Sequence, residues 1–405
     1  YSDTVSIDFT ESQTELSVRE WEIDYLPRGR DFTDVVGFAA GAVVDNQAGG
    51  ISIDGASGLE NRYVIDGIDT TDPQDGQSAV PMRAEFMEEV QVKSAGYMAE
   101  FGGAMGGVIN AVTRSGGNQF HGAALLDFSN NSWNGGSRPE IEYSLVDPGV
   151  AELIAYDKDD EVRFDPGFVL SGPILRDRLW FFGSYQPGLR NTKRTVDWVS
   201  YAPQTYEQDY EVDFATLNLT ANVGSRLLLK AGLNLAPYTI DGRLPARSGR
   251  ADLPDQENYA PLGEEGERNT YFMTLDWILS DNLILSGRGG FYHTNVEDTG
   301  VPTFDLIHNY STYSVPGFVD RYPEIPPNAQ NNPGWLSDNL QTGVHLYNIY
   351  ERTSGGLDAT WYFNAAGEHS LKGGYQTEEI YNDVAQGYNA DRILYYWDLD
   401  YTTTS

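Results

Sequence analysis

The dominant regularity of the chain is apolar and polar residues alternating with a period of two. In residues 212–223, Leu217, Leu219, Ala221 and Val223 share one face, and Thr216, Asn218, Thr220 and Asn222 share the other. Residues 226–235 set Leu227, Leu229, Ala231, Leu233 and Leu235 against Arg226, Lys230 and Asn234. Residues 271–280 set Tyr271, Met273, Leu275, Trp277 and Leu279 against Thr274, Asp276 and Ser280. Residues 392–401 set Ile393, Tyr395, Trp397, Leu399 and Tyr401 against Arg392, Asp398 and Asp400. A helix would repeat every 3.6 residues, so this pattern predicts β-strands.

The connections alternate as well. Tight turns are predicted at Arg176-Asp177, Gly224-Ser225, Ser280-Asp281-Asn282 and Asn364–Glu368. Between them lie long polar stretches, read as loops, at about residues 130–163, 187–210, 237–268 and 297–349. Aromatic residues recur near strand ends, as in Trp180-Phe181-Phe182, Phe291-Tyr292 and Tyr395-Tyr396-Trp397. Short turns, long loops and aromatic girdles together predict a transmembrane antiparallel β-barrel. A soluble sandwich or propeller would share the alternation, but loops this long are uncommon in compact domains. About ten strands fit into residues 118–405. Barrels with a plugged lumen have about 22 strands, so the expectation is less than half of such a barrel.

Residues 1–117 read differently. They hold 10 of the 51 aromatic residues, in shorter elements broken by Gly and Pro. Glu88–Ser94 alternates as a strand, and Val108–Val112 forms a second β segment. Gly102-Gly103 and Gly106-Gly107 between them permit close backbone approach. The longest apolar run, Val35 to Val44, has the length of a core helix. The expected division is therefore 1–117 and 118–405.

Charge and composition narrow the chemistry. The 26 basic and 60 acidic residues give a net charge of −34, and there is no cysteine. No basic patch is present, which excludes nucleic-acid binding. Disulfides, zinc–thiolate sites and iron–sulfur clusters are excluded by the missing thiols. No apolar run reaches the length of a membrane-spanning helix. The first 117 residues carry −13 and the rest −21, so the acidity covers both parts and offers anionic substrates little attraction unless cations help.

Catalytic patterns are absent. The five histidines, His121, His293, His308, His345 and His369, are too far apart to form a helical metal pair. There is neither an H-E-x-x-H nor a G-x-S-x-G motif, and the Gly102–Gly107 stretch lacks the Lys of a phosphate loop. The chain is read as a non-enzyme. Asp66, Asp69, Asp72 and Asp75 recur every third residue, and Asp157, Asp159, Asp160 and Glu161 cluster in the first long loop. Each group has two readings, loop-bound calcium or a solvated turn punctuated by Gly and Pro.

Four segments carry a family resemblance. They are residues 26–33 (LPRGRDFT), 50–67 (GISIDGASGLENRYVIDG), 83–122 (RAEFMEEVQVKSAGYMAEFGGAMGGVINAVTRSGGNQFHG) and 167–185 (GFVLSGPILRDRLWFFGSY). In this order they resemble TonB-dependent outer-membrane transporters of the Oar-like subgroup. The resemblance implies an N-terminal α/β plug inside a transmembrane antiparallel β-barrel, in the outer membrane of a Gram-negative bacterium. It implies a receptor that binds substrate at its external loops and plug and imports it, energised by the inner-membrane TonB complex. Adhesion or assembly at the cell surface is the alternative role. Implied partners are TonB, outer-membrane lipids, and a surface lipoprotein or larger membrane assembly. Asp3, Thr4, Val5, Ser6 and Ile7 resemble a TonB box, an extended segment suited to pairing with a partner strand. Asn61, Arg62, Tyr63, Asp66, Asp69 and Asp72, in the plug loops, are the substrate-binding candidates. Tyr63 and Trp133 could stack a sugar or chelate, or simply pack.

Overall fold

The computed structural model describes residues 14–23, 25–27, 29–45, 49–72, 76–95, 102, 104–143, 150–198, 202–247, 261–311, 335–337 and 343–395. Asp3–Ile7 and Asp75 lie outside them. The first part contains β1 (Thr14–Arg19), a helical turn α1 (Glu20–Ile23), β2 (Ala42–Val44), β3 (Ile51–Ile53), β4 (Arg62–Ile65), β5 (Ile68–Asp69), β6 (Met87–Ala95) and β7 (Val108–Thr113). Five of these strands form a sheet in the order β1-β6-β7-β4-β5, in which β4 and β7 run parallel. β2 and β3 form a separate hairpin. The apolar faces of β6 and β7 are turned inward, and Val90, Val92, Ile109 and Ala111 pack with Phe32, Val35 and Val36.

The run Val35–Val44 is not a core helix. Phe32–Phe38 is a 3-10 helix capped by Asp31, and Ala42–Val44 is β2. Gly41 separates them at φ +78°, a left-handed geometry suited to glycine. The valines at 35, 36, 43 and 44 are β-branched and stiff at χ1, which weakens helix propagation.

The second part is a large antiparallel sheet. Its strands are β8 (His121–Asn130), β11 (Asp160–Leu175), β12 (Leu179–Val196), β13 (Gln204–Val223), β14 (Leu227–Leu235), β15 (Tyr238–Asp241), β16 (Gly263–Ser280), β17 (Leu283–Thr299), β20 (Gly343–Asn364) and β21 (Glu368–Tyr388). The order runs from β8 through β11 to β21 by sequence neighbours. β14 and β15 both pair with β13 and β16, so they are one stave interrupted at Ala236-Pro237. Two small units stand apart. One is the hairpin β9 (Glu140–Tyr143) with β10 (Ala151–Ile154). The other joins β18 (Phe304–Ser311), β19 (Trp335–Ser337) and β22 (Ala390–Tyr395).

The four predicted tight turns are present, and in three of them a left-handed residue makes the turn: Asp177 (φ +64°), Gly224 (φ +68°) and Ala366 (φ +58°). Two expectations change. Much of the polar stretch 187–210 is strand, because β12 and β13 stay paired from Leu189↔Glu211 to Val196↔Gln204. The outer face here carries polar residues such as Lys193 and Glu207, while Thr192, Val196 and Tyr206 on the inner face are buried, so the apolar-outside alternation disappears while the ladder continues. Likewise β15 to β17 and β20 fill parts of 237–268 and 297–349. The segment expected at 392–401 is described only to Tyr395, and β22 pairs parallel with β18 rather than with the large sheet.

The sense of burial in this sheet decides the architecture. Leu217 and Leu219 are 44% and 41% exposed, whereas Thr216 and Asn218 are 3% and 1% exposed. Phe168, Leu170, Tyr271, Met273, Trp277, Leu357 and Trp361 also point out. Ser184, Gln186, Asn234 and Thr270 point in and are buried. An apolar band of this extent would not face water on a soluble protein. It is the outer wall of a membrane barrel, whose polar face lines the lumen.

Candidate functional site

The first sheet sits against this polar inner wall, and three ionic stations join them. Lowest is Asp66, in the left-handed turn Asp66-Gly67 between β4 and β5. Lys230, close to the Gly224-Ser225 turn, donates to Asp66 at 2.9 Å and to the Thr113 carbonyl at 3.0 Å. Thr113 donates to Asp66 from its amide at 3.1 Å and its hydroxyl at 2.7 Å. Asn218 donates to the same hydroxyl at 2.7 Å. Asp66 therefore has donors from both the plug and the wall, which satisfy the oxygens of a buried carboxyl group.

The second station is Asp69. It pairs with Arg62 of β4 at 2.9 Å and with Arg352 of β20 at 2.7 Å. Arg352 also pairs with Glu378 of β21 at 2.7 Å and donates to the Asp69 carbonyl at 3.1 Å. Ile68, between these stations, fills the space left by the missing side chain of Gly290.

The third station is Asp165 of β11, whose side chain is 0% exposed. Arg83 reaches it at 2.9 Å, Arg163 at 3.1 Å, and Arg30 is also paired with it. Arg30 pairs with Asp127 as well. Arg83 lies over the Phe214 ring at 4.2 Å, passing beside Gly188. Phe86, nearby, packs with Phe182, Phe214 and Tyr238 of the wall. Below, the connection from plug to barrel is pinned at the Arg176–Arg178 turn. Asn118 accepts from the Asp177 amide at 2.9 Å and the Trp180 indole at 2.7 Å, and donates to the Asp177 carboxylate at 2.7 Å.

The first two stations border a cavity of about 550 Å³ between β4 and the wall. Its lining mixes Arg62, Lys230 and Arg288 with Asp66, Asp69, Asp358 and Glu378. The register orients the plug. β4 runs from Arg62 to Ile65 toward the short-turn end, with β7 parallel to it. Leu59 and Met105, both exposed, lie at the opposite, long-loop end, where the Met105 amide donates to Glu60.

The six candidate residues are thus distributed unevenly. Arg62, Asp66 and Asp69 line the cavity and carry the ion pairs above. Asn61 is buried, donating to the Ile51 carbonyl at 2.6 Å and accepting from the Gly107 amide at 2.9 Å. Tyr63 is buried in the plug core. Asp72 closes a turn through backbone bonds with Gln77 and Gly76. Trp133 is 69% exposed on a 3-10 turn that follows β8, edge-on to Phe128. In the external loops, Asp159 is bound by Arg194 and Arg247, at 2.8 and 2.9 Å. Among the described residues, no three His or carboxylate side chains converge on one point as metal ligands do.

Reading the sequence missed Arg30, Arg83, Asp165 and Arg352. A usable signal existed, since a charged residue on the inward face of a barrel strand has to find a partner. Lys230 stood on such a face in the pattern itself.

The fold and its inner stations define a class, a plugged outer-membrane β-barrel. Comparison with known proteins agrees. Residues 112–240 match the family described as outer membrane beta barrel domain. The chain is 26% identical over 425 aligned positions to the TonB-dependent transporter Oar of Myxococcus xanthus, covering 89% of this chain and 38% of that protein. It shares its fold with the outer-membrane transporter YddB from Escherichia coli (TM-score 0.54, 15% identity, 93% of this chain and 54% of that one). A second such fold is the ferric enterobactin receptor PfeA of Pseudomonas aeruginosa (TM-score 0.57, 14% identity, 92% and 50%). A third is the siderophore receptor PirA from Acinetobacter baumannii (TM-score 0.53, 16% identity, 91% and 48%). The chain is an outer-membrane β-barrel protein of a Gram-negative bacterium, and it is similar in sequence and fold to TonB-dependent transporters and receptors. It spans well under half the length of its curated relative and about half of these solved chains.

Proposed function

We propose that this chain supplies the plug and part of the barrel of a receptor that binds a substrate from outside and imports it when TonB displaces the plug. The observation that carries this is the set of ionic stations between plug and wall. Polar contacts can be exchanged for water as the plug moves, whereas an apolar seam would resist wetting. Such a plug is a two-state element that an external force can bias. The substrate is met by the long hairpins and by the long-loop end of the plug, near Leu59 and Met105. The protein's chemistry is binding and gating, without a covalent step.

The test uses the absence of native cysteine. Thr113 and Asn218 touch across the plug–wall boundary, so Thr113→Cys with Asn218→Cys places a removable tether there. In the full-length protein, oxidation is expected to abolish TonB-dependent uptake and reduction to restore it. Unchanged uptake with the tether formed, or a surface-assembly defect as the sole phenotype, would overturn the reading.

A further inference from the structure

Four inward-facing side chains on neighbouring staves form one row above the plug. Arg190 of β12 pairs in register with Tyr210 of β13, and its guanidinium lies 4.7 Å from that ring. Tyr210 and Tyr238 of β15 lie 6.2 Å apart, tilted by 35°. Arg268 of β16 lies over Tyr238 at 4.4 Å. The row is therefore Arg–Tyr–Tyr–Arg.

Its charge state is unusual for this protein. Elsewhere inside the barrel and its hairpins the cations hold carboxylates: Lys230 holds Asp66, Arg352 holds Asp69 and Glu378, and Arg194 holds Asp159. Arg190 and Arg268 have no carboxylate partner among the described residues, and the Arg190 Nε is buried without a hydrogen bond. In a chain of net charge −34, two lumen arginines left unpaired beside many acids need a reason. The rings supply part of it by covering one guanidinium face through cation–π attraction. What remains free is the N–H edge, whose fork matches the two oxygens of a planar or tetrahedral oxyanion. Glu264, on the same face of β16 as Arg268, accepts the Tyr238 hydroxyl at 2.6 Å.

We propose that Arg190 and Arg268, on the Tyr210–Tyr238 platform, bind the carboxylate or phosphate group of the imported ligand. This rests on the receptor reading and gives it a substrate class, a ligand with an acidic group and a flat face that can lie on tyrosine. The site also touches the gate. Tyr238 shares an apolar cluster with Phe86 of the plug, so occupancy bears on the surface the plug packs against.

The test is equilibrium binding to full-length protein in detergent, without TonB, in low-chloride buffer. The probes are benzoate, phenyl phosphate and the neutral isostere benzamide. Saturable binding of at least one anion is expected, with benzamide at least tenfold weaker. Whichever of benzoate and phenyl phosphate binds tighter identifies the oxyanion. Arg190→Gln and Arg268→Gln are each expected to weaken binding tenfold or more. Arg190→Lys and Arg268→Lys keep charge and bulk, so they separate lost recognition from misfolding, and partial binding is expected from them. Heat-modifiable electrophoretic mobility verifies each folded barrel. No saturable anion binding, benzamide binding as tightly as benzoate, or a folded Arg190→Gln/Arg268→Gln protein binding like wild type would each overturn the proposal. Anion binding without any TonB-dependent uptake would preserve this site and remove the import reading alone.

Discussion

In the plug strand β6, Val90 and Val92 are buried while the polar Glu89, Gln91 and Lys93 on the other face are only partly buried. In the barrel strand β13 the arrangement is reversed, with Leu217 and Leu219 outside and Thr216 and Asn218 inside. Both strands alternate with the same period. The plug is organised as a soluble domain, held by water's exclusion from its core. The barrel's apolar face is solvated by lipid and its polar face meets the plug. The difference shows where each part is vulnerable: the plug to cavities, the wall to charge outside, and their junction to unpaired charge.

The junction gives the largest expected effect. Asp165→Ala leaves Arg30, Arg83 and Arg163 around an empty, water-poor position, and removing one partner of a buried pair costs about 3–5 kcal/mol. Denaturant titration with hydrogen exchange is expected to show the plug segments at residues 29–34 and 83–86 opening first, with the barrel intact. Ile109→Ala comes next, at about 2–5 kcal/mol from lost burial and a cavity. It should lower plug stability equally in detergent and in lipid. Leu217→Arg makes the opposite distinction, costing about 2–4 kcal/mol for a charge on the lipid face. It should depress insertion into vesicles while plug exchange stays unchanged. Equal behaviour of Ile109→Ala and Leu217→Arg in both media would erase the distinction between the two sheets.

The smallest effects concern pH, and they have opposite signs in the plug and the external hairpins. Burial pushes the Asp31 carboxyl up to about 6, against donation from Thr33 and Met82. Its folded value lies above the unfolded one, so its contribution is full below the ordinary value of 3.8 and is lost as pH rises through about 6. Burial also raises Asp159, but hydrogen bonds from Arg194 and Arg247 outweigh it and hold that carboxyl below the usual range. Its contribution is present above the unfolded value and disappears as pH falls through the lower folded one. Exchange measured at pH 7, 5 and 3 should show residues 31–38 best protected in acid and residues 241–247 best protected near neutrality.

Much of the fold was legible because strand pairing in a barrel follows chain order. The turns at Asp177, Gly224 and Ala366 and the faces of β13, β14 and β16 could be read from residue types. The 3-10 helix at Phe32–Phe38 was not, because an apolar run carries no period and its glycines and valines act locally. Nor were the long hairpins above the membrane, since a strand whose outer face is polar looks like a loop in composition. Of the six candidate residues, Arg62, Asp66 and Asp69 share one cavity, while Asn61 and Tyr63 are committed to plug packing. A polar residue in a plug loop reads alike in either role.

What the sequence determined by itself is the alternation, its turns and the two-part composition, all properties of near neighbours along the chain. Tertiary structure alone decided which face of each strand is the outside, because a period of two is symmetric and only the surrounding medium breaks that symmetry. It also decided which charges meet. Arg83 with Asp165, Lys230 with Asp66 and Arg352 with Asp69 are distant in sequence, and Arg190 and Arg268 are distinctive only for the carboxylates they lack. Coulombic attraction depends on distance in space and on local water, and neither is written in the order of residues.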